Sequence, residues 1–264
     1  MNTWRPSWMC FQASIIAAAM EVAAAGASTL LPERTNGKAP APRPWTPPQF
    51  EEKQQVRDQM VGKIRAYGLE DEKVLAVMSA VPRHEFVPPK LRPKAYADSP
   101  LPIGYGQTIS QPYIVAEMTR LLKLDKDSSV LEVGTGSAYQ AAVLAHFTPH
   151  VYSIEIIEPL ATAAAARLQR LGYTVVTVRH ADGYDGWPEK GPFDGIVVTA
   201  AAGEIPPPLI RQLKMGGRMV IPVGAVFGAQ SLMLVEKDET GRVRTRSLMP
   251  VRFVPLTRQD RSKR

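Results

Sequence analysis

Between Ser129 and Val251 short apolar runs alternate with helical stretches, and that alternation constrains the fold more than any other feature. The runs at 129–133, 151–154, 174–178, 193–199 and 217–223 are interrupted by helical patterns at 138–147, 159–171 and 206–213. A parallel strand pair needs a crossover of a dozen or so residues, so repeated units of this length predict a parallel sheet covered by helices. Two further runs, 231–236 and 243–251, flank Glu239-Thr240-Gly241 and predict an antiparallel hairpin. The Gly216-Gly217 pair is expected to open the strand before it. The fold class expected is α/β: a doubly wound, mostly parallel sheet with a C-terminal antiparallel hairpin and N-terminal helices.

Upstream of the sheet, Val56, Met60, Ile64 and Tyr67 recur at helical spacing and Gly68 can close that helix. A second short helix carries Val74, Val77 and Met78 and ends before Pro82. Residues 82–111 are rich in proline and glycine without a period, which predicts a long irregular segment of the kind that is usually functional or mobile. Ordered structure is expected to begin near Glu51. Residues 1–50 are expected to be a disordered or processed extension, because an alanine-rich stretch leads into a proline-dense one. The same stretch has some features of an export signal, with small residues at 25–28, but Glu21 interrupts its apolar part. The expected organisation is an extension over 1–50, a catalytic domain over 51–258 and a basic tail over 259–264.

The net charge of +7 suggests a polyanion partner until it is located. Residues 242–264 alone carry +7, residues 1–50 carry +2, and the body from 51 to 241 carries −2. A terminal charge run is usually a solvated edge, so neither nucleic acid nor a membrane is expected as a partner. A monomer is expected. Cys10 is the single cysteine and the four histidines lack ligand spacing, so no metal is expected.

In a doubly wound sheet the ligand lies beyond the carboxyl ends of the central strands. Glu132-Val133-Gly134-Thr135-Gly136-Ser137 marks that place at the end of the first strand. Two glycines let the backbone turn and approach a ligand closely, although they also suit a mere turn. A dinucleotide site wants a third small residue where Tyr139 stands, so a nucleoside cofactor without a diphosphate fits better. Glu155 ends the second strand, where a carboxylate can accept both hydroxyls of a ribose. Asp182-Gly183 follows the third, where a carboxylate can accept from an adenine amino group. The conjunction points to S-adenosylmethionine.

Four stretches then resemble the protein-L-isoaspartate O-methyltransferase family: Pro100 to Tyr113 with its Gly-Gln-Thr-Ile-Ser-Gln-Pro run, Leu131 to Ser137, Val198 to Ala201, and Arg252 to Leu256. The likeness spans roughly residues 51–258. One departure is Ala138, where the family usually has a third glycine. The resemblance implies a Rossmann-like methyltransferase fold. It also implies transfer of a methyl group from S-adenosylmethionine to the free α-carboxylate of L-isoaspartyl residues in damaged proteins and peptides, which then repair through a succinimide. It places the matching serine, Ser110, in the active site. Glu132, Gly134, Thr135, Gly136, Ser137, Glu155, Asp182 and Gly183 are the expected cofactor residues, and Thr108, Ser110, Thr199, Ala200 and Ala201 the expected substrate residues.

The chemistry suits a chain without a catalytic dyad. A carboxylate is already an anion at pH 7, so positioning replaces a general base. Ser110 is the candidate for that positioning, although a serine just before Pro112 could equally cap a helix. A serine hydrolase is excluded by the lack of a Gly-x-Ser-x-Gly elbow. Two other readings remain: a methyltransferase for a small molecule or RNA, and a non-catalytic isoaspartyl-binding protein on the same fold. A cytoplasmic home is expected because S-adenosylmethionine is made there, with export as the alternative if residues 1–27 are a signal.

Overall fold

The computed structural model describes residues 44–225 and 228–259. The expected features of residues 1–43, the export signal included, and of 260–264 lie outside them. Five strands form the parallel part of a seven-stranded sheet: β3 (Ser129–Val133), β4 (His150–Glu155), β5 (Val176–His180), β6 (Phe193–Val198) and β7 (Leu213–Gly224). β8 (Gln230–Lys237) and β9 (Val243–Val251) complete it as the expected antiparallel pair. The spatial order is β5-β4-β3-β6-β7-β8-β9, so the winding reverses between β3 and β6. That reversal opens a crevice above the ends of these two strands.

Alternate residues of the central strands feed two cores. Val130, Val197 and Val220 point to one, while Leu131, Val133, Ile196, Val198 and Ile221 point to the other. All are 1% exposed or less, and each contributes about 1.5–3 kcal/mol through burial. The first core is the thicker. It takes in α1 (Gln54–Ala66), α2 (Glu72–Ala80), α3 (Pro112–Leu122), α4 (Tyr139–Ala145) and part of α5 (Glu158–Arg170). The second is covered by α6 (Pro207–Gln212) and the Trp187 loop.

Several local expectations are corrected. In α1 the buried residues are Arg57, Met60 and Ile64, whereas Val56 and Tyr67 are exposed. The guanidinium of Arg57 donates to the Phe50 and Glu52 carbonyls, a use of the inner face that an apolar pattern hides. Packing also starts before Glu51, since Trp45 donates to the Gly172 carbonyl at 3.0 Å and Phe50 stacks on Tyr173. The segment 82–111 is not structureless. It holds two 3-10 turns, Arg83–Phe86 and Pro89–Lys94, and a small hairpin of β1 (Leu101–Gly104) and β2 (Gln107–Ile109). Gly216 and Gly217 lie inside β7 at a register shift against β6 and do not open the strand.

The glycine loop also differs in detail. α4 begins at Tyr139, because Ala138 adopts the left-handed conformation at φ 68° and cannot join the helix.

Candidate active site

The loop after β3 is tied to β4 by three backbone N–H groups. Gly134 and Thr135 donate to the Ile154 carbonyl at 2.8 and 3.1 Å, and Gly136 donates to Glu155 Oε2 at 2.7 Å. Glu155 Oε1 accepts from Ile157 at 2.9 Å. Each carboxylate oxygen has two acceptor sites, so Glu155 holds the loop and still has one site per oxygen for a ribose. Gly134 is required by contact as well as by its φ of 98°: a Cβ there would lie 2.4 Å from Thr199 Oγ1. A Cβ on Gly183 would likewise lie 2.4 Å from Val133 Cγ1, so the chain after β5 presses against the end of β3.

Glu132 is fully buried beneath the loop. Its Oε2 accepts from the Ser153 hydroxyl, which pairs with Thr135 Oγ1 at 2.6 Å. Its Oε1 is buried with no hydrogen-bond partner among the described residues. Burial, with the Glu155 charge adding to it, pushes this carboxyl up to about 8, so it is largely neutral at pH 7. Ser137 Oγ accepts from Tyr139 N at 3.3 Å, and the Ser137 carbonyl accepts from Arg167 at 3.0 Å.

The substrate candidates divide by whether their hydrogen bonds are already used. Thr199 Oγ1 lies 2.6 Å from the Gly134 carbonyl and 3.1 Å from that of Val133, so its single proton is committed. Thr199 N donates to Val133 and Ala201 N to Val254, leaving Ala200 N as the donor of the three without a protein acceptor among the described residues. Ser110 and Thr108 make no hydrogen bond through their hydroxyls within the described residues, and both face two hollows. One, of about 30 Å³, also borders Glu132, Gly134 and Gly136. The other, of about 420 Å³, reaches Arg252 and Phe253. Ser110 does not cap α3. Asp98 does so, accepting from Tyr113 N at 2.9 Å and from the Gln111 amide at 2.6 Å.

A segment without a role in the sequence analysis completes the crevice. Leu256 N donates to the Ala201 carbonyl at 2.7 Å, Gln259 N donates to Asp182 Oδ2 at 3.1 Å, and Arg258 lies 3.6 Å above the Tyr184 ring. Residues 254–257 thereby roof the hollow beside Glu155, Ile156 and Gly183, which measures about 50 Å³. Asp182 also accepts from Tyr184 N at 3.0 Å, so its carboxylate serves its own turn and this strap before any ligand. The run Arg252–Leu256 marks the place in the sequence, but no periodicity distinguishes a roof from a tail. Among the described residues no group of three or more His, Cys, Asp or Glu is arranged for a metal, and no helix is long and apolar enough to cross a membrane.

Residues 54–261 match the profile of the protein-L-isoaspartate(D-aspartate) O-methyltransferase family. A protein-L-isoaspartate O-methyltransferase 2 from Syntrophobacter fumaroxidans is 69% identical over 187 residues, covering 71% of this chain and 76% of that protein. Its namesake from a Polaromonas species is 66% identical over 189 residues, 72% of this chain and 90% of that one. A crystal structure from Plasmodium falciparum, described as a protein-L-isoaspartate O-methyltransferase in complex with S-adenosyl-L-homocysteine, shares the fold. Its TM-score is 0.65 at 23% identity, over 76% of this chain and 98% of that one.

Proposed function

The chain belongs to the protein-L-isoaspartate(D-aspartate) O-methyltransferase family, and we propose that the crevice at the β3–β6 reversal methylates the free α-carboxylate of L-isoaspartyl residues, with Ser110 orienting that carboxylate. The observation that carries this reading is the idle Ser110 hydroxyl at the wall between a small hollow on the glycine loop and a larger one at Phe253, freed from capping by Asp98.

The residues fit S-adenosylmethionine. Glu155 has free acceptor sites at the ribose position, and the orphaned Glu132 Oε1 lies under the hollow that borders the glycine loop. When bound, the cofactor supplies a methyl group on an electrophilic sulfonium. The protein's part is geometric. Ser110 and Thr108 donate to one side of the acceptor carboxylate, and Ala200 N can donate to the other. No proton has to be removed from the acceptor, so the step needs no general base. The larger hollow at Phe253 has room for an extended chain, so damaged segments of proteins and peptides are the substrate class.

In this reading the catalytic unit spans 51–258, with Trp45 and Phe50 of the preceding extension packed against it and a basic tail after it, and acts as a monomer in the cytosol where the cofactor is made. Incubation with methyl-labelled S-adenosylmethionine and a matched pair of isoaspartyl and aspartyl peptides tests it. Label is expected on the isoaspartyl peptide alone. Label on neither, with cofactor binding intact, would refute it.

A further inference from the structure

Behind the glycine loop, α5 and the turn Pro89–Lys94 enclose a hollow of about 260 Å³ with an unbalanced charge. Arg92, Arg167 and Arg170 line it against a single carboxylate, Glu85. Glu85 pairs with Arg170 at 2.9 Å and with Arg92 at 3.3 Å. Arg167 donates to the Ser137 carbonyl at 3.0 Å and forms no ion pair within 4 Å among the described residues. One negative charge thus faces three guanidinium groups, and the burial of Arg167 together with repulsion from Arg170 pushes its pKa down. Ile103 and Leu160 add apolar wall. Gly136 and Ser137 border both this hollow and the small one that Ser110 faces.

We propose that this hollow is a subsite for an acidic side chain of the substrate, a few residues away from the isoaspartyl residue. The inference rests on the proposed function, since it needs a peptide held at Ser110. Planar forks matched to carboxylates, aliphatic wall for the methylene stem and a net surplus of two positive charges select Asp or Glu over neutral or basic residues.

The experiment uses isoaspartyl peptides in which a glutamate, or a glutamine control, is walked through the four positions on each side. The readout is the ratio of kcat/KM for the Glu peptide over its Gln twin. At one or two positions wild type should show a ratio of about three to ten, the worth of one or two partly exposed charge pairs. Arg170→Gln, whose side chain is largely exposed, should bring that ratio toward one. Glu85→Gln removes the resident competitor and should raise it. A ratio near one at every position, or one that Arg170→Gln leaves unchanged or Glu85→Gln lowers, overturns the subsite while leaving the methylation itself standing. If no isoaspartyl peptide is methylated, the proposed function fails and the subsite with it.

Discussion

Gly134 and Thr199 should be energetically coupled, and a double-mutant cycle measures the coupling. Gly134→Ala incurs two separate costs. The backbone at φ 98° is unfavourable for any residue with a Cβ, by roughly 1–2 kcal/mol. The new Cβ would also stand 2.4 Å from Thr199 Oγ1, which must move and give up its bond to the Gly134 carbonyl. Losing that bond costs about 1 kcal/mol, and residual crowding adds to it, so the single variant should lose about 3 kcal/mol. Thr199→Ala alone should lose about 1 kcal/mol. In the double variant the clash is gone, because the next atom, Thr199 Cβ, is 3.7 Å from the added methyl, an ordinary contact. Only the backbone cost and the lost hydroxyl remain, about 2–3 kcal/mol together. The cycle should therefore fall short of additivity by about 1 kcal/mol or more. Urea denaturation of the four proteins, with matched m-values, supplies the numbers. Additivity within about 0.3 kcal/mol would refute the contact, and with it the account of why β3 must be followed by glycine.

Ser110→Ala should lower kcat about ten- to a hundredfold while the melting temperature moves by less than about 2 °C, as single-turnover kinetics and calorimetry can check. The carboxyl of Glu132 holds its proton up to about 8 in the folded protein, against an ordinary 4.5, so the unfolded chain binds fewer protons between these values and stability falls as pH rises through them. The slope is at most about 1.4 kcal/mol per pH unit, and Glu132→Gln should flatten it in denaturation curves taken from pH 5 to 8. Arg258→Ala removes the cation from the Tyr184 ring and should speed release of S-adenosylhomocysteine about three- to tenfold in stopped-flow displacement; an unchanged rate would mean that the strap does not gate the crevice.

The sheet was legible because its central strands are buried on both faces, and such strands read as apolar runs whatever surrounds them. The glycine loop and the three strand-end acids were legible for the same reason, since each position follows from a strand's end. Three features were not. The β1–β2 hairpin is seven residues of strand with exposed Thr108 at its centre, too short and too wet to show an alternation. Arg57 and Arg83 are fully buried on faces where only apolar residues would be sought. Asp98 caps α3 from outside the helix, thirteen residues before Gln111, whereas capping signals in sequence are local.

The candidates for chemistry can be ranked by the hydrogen-bonding capacity that the fold leaves unspent, a property invisible in sequence. A group committed to the protein must break a bond before it can orient a ligand, and in a closed crevice that exchange gains little. Thr199 and Thr135 are committed, to the Gly134 carbonyl and to the Ser153 hydroxyl, so their loss should appear in stability and loop position. Asp182 is half committed, to its own turn and to the strap. Glu155 is half committed, which suits a residue that fixes the loop and binds a ribose together. Ser110 and Thr108 are uncommitted, and among the described residues they alone line both the small hollow and the larger one. Two hydroxyls placed there can donate to a carboxylate in the larger hollow without any compensating loss. Methyl transfer to an acceptor that is already ionised asks for donors of that kind and no base, so the crevice is built around what it leaves unbonded.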